Sequence, residues 1–201
     1  MKITIIRHPE TDSNRAGIIY GSTDSNYSES GIKQFENILQ YLKSRNKCKV
    51  FSSPKQRAKK LASKLAELIG GELIQSSNIS EMNFGIFEGK TLGEIKKQYP
   101  KEYDDFKYRF DTTTIPEGES YREFSARVRE FYEKFDSLNE DIVIVTHGAV
   151  IRELLEIILD LKTGGSWKFK IPNGVIIEIE KGTYGYRLVN LLDSSNLYIW
   201  R

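Results

Sequence analysis

The sequence contains only two histidines, and each follows a run of apolar, strand-like residues. His8 ends the run that begins at Lys2, and His147 ends the run that begins at Asp141. A neutral imidazole nitrogen is a competent nucleophile toward phosphorus near neutral pH. If the two runs are neighbouring parallel strands, both rings meet in the crevice at their carboxyl ends. The two histidines therefore predict a site that handles a phosphoryl group covalently.

Two arginines are placed to neutralise such a phosphate. A phosphate dianion repels a nucleophile unless cations first bind its oxygens. Arg7 lies directly before His8, and Arg57 lies in the helix predicted after Ser52-Ser53-Pro54. A guanidinium contacts two oxygens at once and keeps its charge, and a helix start adds unpaired amides. These residues predict an anion site.

Two glutamates are candidates for the acid that protonates the leaving oxygen. Glu81 and Glu88 flank Asn83-Phe84-Gly85, on a loop predicted after the third strand. The residues alone leave open which of the two is the acid.

Strand-like and helix-like segments alternate along the chain. Parallel strands are predicted at residues 2–7, 49–52, 72–75 and 142–146. Residues 175–180 and 186–192 are predicted to pair as a hairpin around Gly182 and Gly185. We expect an α/β fold, a three-layer α/β/α sandwich with a mostly parallel six-stranded sheet.

Helices are predicted from apolar residues at helical spacing. A helix that starts near Ser28 has the apolar residues Ile32, Phe35, Leu39 and Leu42. Pro54 is predicted in the first turn of the next helix, with the buried stripe Ala58, Leu61, Ala62, Leu65 and Ile69. A third helix, before the fourth strand, has the stripe Phe124, Val128, Phe131, Phe135 and Leu138, and an apolar helix follows His147.

Composition argues against several functional classes. The 201 residues include 30 basic and 28 acidic ones, a near-balance that argues against a general nucleic-acid binder. No apolar run approaches the ~20 residues of a membrane span. Cys48 is the single cysteine, and the chain begins directly with a strand. We therefore expect a cytoplasmic protein without a signal peptide, whose partner is a small molecule rather than nucleic acid or membrane. Whether the chain forms a homodimer is left undecided by the sequence.

Six segments in this order resemble the motifs of the histidine phosphatase superfamily, also called phosphoglycerate-mutase-like proteins. Residues 7–11, Arg-His-Pro-Glu-Thr, are similar to the family's Arg-His-Gly-Glu-Thr signature. Residues 52–58 resemble its Ser-Ser-Pro-x-x-Arg-Ala segment. The other matching segments are residues 21–31, 81–89, 116–120 and 145–148. The resemblance covers essentially the whole chain and implies that residues 175–180 run antiparallel to the first four strands.

The resemblance implies a role for each matching residue. His8 would be the nucleophile that becomes phosphorylated, and Glu81 the proton donor and later the base for water. The phosphoryl oxygens would be held by Arg7, Arg57, His147, Asn14 and the amide of Gly148. Tyr20 and Gly21 complete the predicted substrate-binding set. The resemblance implies no metal and no cofactor, because the arginines supply the positive charge that Mg²⁺ supplies elsewhere.

One residue departs from the family pattern, because Pro9 stands where the family usually has glycine. Proline has no amide hydrogen and fixes φ near about −65°, so any backbone donor at this position is lost. Glu10 and Glu119 are expected to orient loops, and Asp24 to lie in a turn.

The resemblance leaves three activities to compare. Phosphatases of the family pass the phosphoryl group to water, and cofactor-dependent phosphoglycerate mutases return it to a bound substrate. These mutases typically carry an arginine directly after the acid glutamate, where this chain has Met82. A non-catalytic phospho-ligand binder would show damage among His8, Arg57, Glu81 and His147, and none is visible. We therefore predict a metal-independent phosphomonoesterase of the histidine acid phosphatase type.

A single domain, residues 1–201, is predicted, with residues 91–115 as a small helical cap over the site. The cap contains the aromatic residues Tyr99, Tyr103, Phe106, Tyr108 and Phe110. They would pack the cap onto the core, or some would face the pocket with Tyr20 and favour a ring-bearing leaving group. Lys107 and Arg109 are candidates for binding a second anionic group.

Overall fold

A computed structural model describes residues 1–197. Its strands are β1 (Lys2–Arg7), β2 (Ile18–Ile19), β3 (Lys49–Ser52), β4 (Leu73–Gln75), β5 (Lys90–Thr91), β6 (Ile142–Thr146), β7 (Val175–Gly182) and β8 (Gly185–Asp193). Its α-helices are α1 (Asp12–Arg15), α2 (Glu29–Leu42), α3 (Gln56–Ile69), α4 (Leu92–Gln98), α5 (Pro100–Tyr108), α6 (Tyr121–Asp136) and α7 (Gly148–Ile158). Within residues 1–197 no helix is long and apolar enough to cross a membrane.

Six strands form one mixed sheet in the order β4-β3-β6-β1-β7-β8. The first four in this order run parallel, and β7 runs antiparallel to both β1 and β8. The predicted α/β fold class and the direction of each predicted strand are therefore confirmed. The predicted hairpin also forms, since β7 ends at Gly182 and β8 begins at Gly185.

Buried residues on both faces of β6 explain why this strand lies inside the sheet. Ile142 and Ile144 pack into a core with α6 and α7, whereas Val143 and Val145 pack into a second core with α2 and α3. Alternate residues of a strand point to opposite faces, so an uninterrupted apolar run suits a strand covered on both sides. The helices on the two faces make the three layers that the sequence predicts.

The sheet register brings the ends of β1 and β6 together. Arg7 pairs with Thr146, and the amide of His8 donates to the Thr146 carbonyl at 2.9 Å. The next residues along the two parallel strands, His8 and His147, therefore leave the sheet side by side. This is the carboxyl edge at which open α/β sheets bind ligands.

The helix predictions need three corrections. Ile32 of α2 is 51% exposed, because the buried side of this helix is centred on Ile38. Pro54 lies before α3 rather than in its first turn, since the helix begins at Gln56. Leu138 lies beyond the end of α6 and is exposed. The stripe predicted for α3 is buried throughout.

The segment predicted as a cap folds as α4 and α5 around a small core of its own. Phe87, Ile95 and Ile115 are its buried residues, and Tyr99, Tyr103 and Phe106 pack against them. Most of the cap aromatics therefore serve packing rather than a pocket. Tyr108 is exposed, and Phe110 lies edge to face with Tyr121.

Candidate active site

The two histidines meet at the carboxyl edge of the sheet. Their ring centroids lie 5.2 Å apart in an edge-to-face arrangement, and both side chains are buried. Burial, followed by the positive charges around them, lowers the pKa of His8 and of His147 well below the usual value. Both rings are therefore neutral at physiological pH, the state in which imidazole is a nucleophile.

A carbonyl oxygen fixes the tautomer of His8. Its Nδ1 lies 2.8 Å from the carbonyl oxygen of Pro9, and a carbonyl only accepts, so Nδ1 carries the hydrogen. The Nε2 lone pair is left for attack. The contact uses only the main-chain carbonyl of residue 9, so it is compatible with proline at this position.

His147 is oriented by Arg57 and Ser53. The Arg57 Nε donates to Nδ1 of His147 at 3.2 Å, so the hydrogen of the neutral ring is on Nε2. That Nε2 lies 2.8 Å from the Ser53 hydroxyl oxygen, to which it donates. The Nε2 hydrogen of His147 is thus donated to Ser53, and binding a phosphoryl oxygen would require His147 to exchange that partner.

Arg7 has an unused donor next to the histidines. Its Nη1 donates to the Ile171 carbonyl at 2.6 Å, but its buried Nε has no partner within residues 1–197. An unpaired buried donor costs about 1–3 kcal/mol, and an anion would satisfy it. A Cβ at Gly148 would lie only 3.4 Å from the Arg7 guanidinium carbon, so the start of α7 adjoins this donor. The first amides of a helix lack helical partners, and Gly148 offers one of them.

Arg57 is also held by residues 20–24, the loop that follows β2, which we name the Arg57-binding loop. Its guanidinium donates to the carbonyls of Gly21 at 2.9 Å and Thr23 at 2.5 Å, and pairs with Asp24 at 3.0 Å. It also stacks on the Tyr20 ring, 4.5 Å from the centroid. Asp24 therefore does more than shape a turn, since it balances a buried positive charge.

Glu81 is the glutamate that lies in the site. Its carboxylate accepts hydrogen bonds from the amides of Met82 at 3.1 Å and of Ala149, in the first turn of α7, at 3.3 Å. Burial raises the pKa of Glu81, although these amides and the charge of Arg7 oppose the shift. A carboxyl that holds its proton toward neutral pH is suited to general acid catalysis.

Glu88 is occupied by the backbone instead. Its carboxylate accepts from the amides of Gly21 at 2.9 Å, Ser22 at 3.0 Å and Phe84 at 3.1 Å. It thereby joins the Arg57-binding loop to the loop of Glu81. A Cβ at Gly21 would lie 1.8 Å from the Met82 carbonyl oxygen, so only glycine fits this junction.

Hydrogen bonds orient the Asn14 amide. Its Oδ1 accepts from the Tyr20 hydroxyl at 3.1 Å, from Asn173 Nδ2 at 3.0 Å and from the Thr11 hydroxyl at 3.0 Å. Among residues 1–197 the amide nitrogen, Nδ2, donates to no other group and can donate to an anion. Tyr20 is buried and directs its hydroxyl to Asn14, so it supports the site instead of lining a pocket for a ring.

The structure thus brings together the sequence-predicted residues Arg7, His8, Asn14, Tyr20, Gly21, Arg57, Glu81, His147 and Gly148. It does not bring Lys107 or Arg109 into contact with them: Lys107 lies over Tyr108 and Arg109 pairs with Asp105. Glu119 accepts from the Asn83 amide at 3.4 Å, the kind of backbone contact expected for a loop support, and it also pairs with Arg127. Glu10 accepts from the Ser28 hydroxyl instead.

Three contacts of the site are absent from the sequence-based prediction, those of Ser53, Ile171 and Asn173. Ser53 directly follows β3 and is detectable by the same strand-end rule that identifies the histidines. Ile171 and Asn173 precede β7, which is antiparallel to β1. The start of β7 therefore lies at the end of β1, a fact that depends on the two strands being neighbours in the sheet.

Within residues 1–197, no cluster of three or more His, Cys, Asp or Glu side chains is arranged to hold a metal ion. The positive charge at this edge of the sheet comes from Arg7 and Arg57. Metal independence stays a prediction that a chelator tests.

Known proteins resemble this chain over nearly its full length. Phosphoserine phosphatase 1 of Hydrogenobacter thermophilus is 27% identical over 86% of this chain and 83% of its own length. A crystal structure of the Entamoeba histolytica phosphoserine phosphatase, a mutant in complex with phosphoserine, is 28% identical, covers 98% of this chain and 99% of that chain, and superposes with a TM-score of 0.81. The α-ribazole phosphatase structure from Shigella flexneri has a TM-score of 0.87 over 96% of this chain and 97% of that chain, at 23% identity.

The relatives also include proteins named as phosphoglycerate mutases. The family model described as histidine phosphatase superfamily (branch 1) matches residues 3–194. With the predicted motifs and fold both present, the chain belongs to the histidine phosphatase superfamily.

Proposed function

We propose that this protein is a cytoplasmic phosphomonoesterase of the histidine acid phosphatase type that acts through a phosphohistidine on a small phosphorylated metabolite. The observation that carries the proposal is His8, whose Nδ1 hydrogen bond leaves Nε2 unprotonated next to Arg7, the Nε of which has no partner within residues 1–197. The phosphatase names of the relatives support the same class of reaction.

The residues divide the reaction into two steps. In the first, Nε2 of His8 forms a bond to phosphorus, the bond from phosphorus to the substrate oxygen breaks, and Glu81 gives that oxygen a proton. In the second, Glu81 takes a proton from water, the water oxygen bonds to phosphorus, and the electron pair of the N–P bond returns to His8. The phosphoryl oxygens are held by Arg7, Arg57, His147, Asn14 and the amide of Gly148.

A mutase activity is the alternative, and Met82 argues against it. The Met82 side chain is buried and packs into the core shared with α6 and α7. The position next to Glu81 therefore supplies no cation to the site. An exposed cation such as Arg109 would have to bind the carboxylate of a phosphoglycerate.

A screen of phosphomonoesters with EDTA present tests the proposal. The panel contains phosphoserine, because several relatives are named as phosphoserine phosphatases, together with 3-phosphoglycerate, α-ribazole phosphate and p-nitrophenyl phosphate. We expect phosphate release that EDTA does not reduce, and none from His8→Ala. Tight phosphate binding without turnover would favour the non-catalytic binder, and rapid interconversion of phosphoglycerates with 2,3-bisphosphoglycerate would favour the mutase.

A further inference from the structure

Residues 159–174 connect α7 to β7, and we name the second part of this connection, residues 165–174, the strap. The carboxyl end of the strap holds the nucleophile, since the Gly174 amide donates to the His8 carbonyl at 3.2 Å. Its middle holds Arg7, whose Nη1 donates to the Ile171 carbonyl at 2.6 Å. The backbone of the strap is therefore part of the support for the phosphate site.

Arg7 depends on the strap for its orientation. Within residues 1–197, the Ile171 carbonyl is the one hydrogen-bond acceptor for its guanidinium, and its Nε is buried without a partner. Because the guanidinium is hydrogen-bonded to the described residues through only one nitrogen, that contact determines its orientation. A displacement of the Ile171 carbonyl would therefore displace the donors that face the phosphoryl group.

The amino end of the strap is held by two residues of α7. Arg152 Nη1 donates to the carbonyls of Ser166 at 2.9 Å and Phe169 at 3.5 Å, and its guanidinium stacks on Trp167 at 3.9 Å. Glu156 accepts from the amide and the hydroxyl of Ser166, at 3.1 Å and 2.5 Å. The same helix begins at Gly148, beside Arg7, so α7 contacts both the amino end of the strap and the phosphate site.

Arg7 and Arg152 are both positively charged, and both donate to carbonyls of the strap. Burial lowers the pKa of Arg152, and the charge of Arg7 lowers it further. The negative charge of Glu156, one turn further along α7, opposes these shifts and raises the pKa of Arg152. The strap carbonyls, the Trp167 ring and the negative charge of Glu156 stabilise this charge close to Arg7.

We propose that Arg152 is a positioning residue that fixes the strap, and that the strap places Arg7 and His8 for phosphoryl transfer. The inference rests on the proposed function, because it assigns Arg7 to the phosphoryl group. It adds a determinant of the reaction that lies outside the site.

The test compares Arg152→Ala and Arg152→Lys with a control, Arg187→Ala, on the exposed face of β8. KM and kcat are measured with p-nitrophenyl phosphate, and the inhibition constant with inorganic phosphate. Arg152→Ala is expected to raise KM and the inhibition constant on the order of ten-fold, as for a lost hydrogen bond to a charged group. Arg152→Lys is expected to recover only part of the affinity lost in Arg152→Ala, because an ammonium cannot stack on Trp167 and bind both carbonyls as a guanidinium does. For the control, Arg187→Ala, we expect the same KM, kcat and inhibition constant as for the wild type.

A double-mutant cycle separates positioning from a general loss of structure. Phosphate binding is measured by calorimetry for Arg7→Ala with and without Arg152→Ala. If Arg152 acts through Arg7, the second substitution has no further effect, and additive losses would overturn the proposal. The pH profile gives a second readout: because the charge of Arg7 lowers the pKa of Glu81, a displaced Arg7 moves the alkaline limb of kcat/KM to higher pH.

The outcomes also distinguish this inference from the proposed function. If Arg152→Ala has the same KM and inhibition constant as an active wild type, the inference is refuted and the proposed function is not. If the wild type hydrolyses no phosphomonoester, the proposed function is refuted. If Arg152→Ala does not fold, Arg152→Lys and Trp167→Ala carry the test, with the same direction of change expected.

Discussion

His8 and His147 face each other edge to face across the end of the sheet, with 5.2 Å between their ring centroids. Burial and the adjacent arginines lower the pKa of both rings well below the usual value. A folded protein that keeps two histidines neutral releases protons on folding at mildly acidic pH. The same burial that prepares the nucleophile therefore makes stability depend on pH.

The pH dependence of unfolding tests this relationship. Below the ordinary histidine pKa of about 6.5, the unfolded chain binds more protons than the folded one, so stability falls as the pH falls. The contribution of each histidine is up to about 1.4 kcal/mol per pH unit. We expect His147→Gln to flatten the slope of the unfolding free energy between about pH 5 and pH 7. Urea titrations of the wild type and of His147→Gln at several pH values measure this slope. Equal slopes would contradict the burial of His147 in its neutral form.

Glu81→Gln tests the general acid. A poor alkoxide leaving group needs the proton, so its hydrolysis should slow by about 10²- to 10⁴-fold. p-Nitrophenyl phosphate needs little protonation and should slow less than about ten-fold. Because burial raises the pKa of Glu81, the wild-type rate should decline toward alkaline pH as the acid loses its proton. Equal losses on both substrates would instead assign Glu81 to positioning.

Glu88→Gln is the matched control for that experiment. Glu88 accepts from three backbone amides, so its substitution should lower stability by about 1–3 kcal/mol and leave the leaving-group dependence unchanged. Glu81→Gln should be at least as stable as wild type at pH 7, because burial penalises its carboxylate. A leaving-group effect from Glu88→Gln alone would move the acid role to Glu88.

Asn14→Asp tests the free amide nitrogen of the site. Aspartate keeps an oxygen for Tyr20 and Asn173 but replaces the free donor with a negatively charged oxygen. We expect the inhibition constant for inorganic phosphate to rise by at least about 100-fold, with little change in melting temperature. Asn46→Asp, at an exposed position between α2 and β3, is the control. An unchanged inhibition constant would mean that Asn14 does not contact the phosphate.

Gly21→Ala tests the junction between the Arg57-binding loop and the loop of Glu81. The new methyl group would overlap the Met82 carbonyl oxygen, and the displaced loop would release Arg57 from the Gly21 carbonyl. We expect a loss of about 1–3 kcal/mol in unfolding free energy and a large loss of activity. Gly93→Ala, in an open position of α4, should have neither effect. A fully active Gly21→Ala would show that this close approach is unnecessary.

The strands and the centre of the site follow from the sequence because both depend on local patterns. The apolar run of β6 predicts a strand buried on both faces, and His147 directly follows it. The two-residue pairing of β2 with β5 is too short to produce a periodic pattern. The contacts of Ser53 and Asn173 depend on which strands are neighbours, and the exposure of Ile32 depends on how α2 rotates against its core. Such facts belong to the tertiary fold.

Trapping the covalent intermediate tests the central claim most directly. Wild-type protein is quenched during turnover of a ³²P-labelled phosphomonoester, and the labelled peptide is identified by mass spectrometry. We predict an acid-labile, base-stable phosphate on His8, and no label in a folded His8→Ala variant. Label on another residue, or turnover by His8→Ala, would contradict the account.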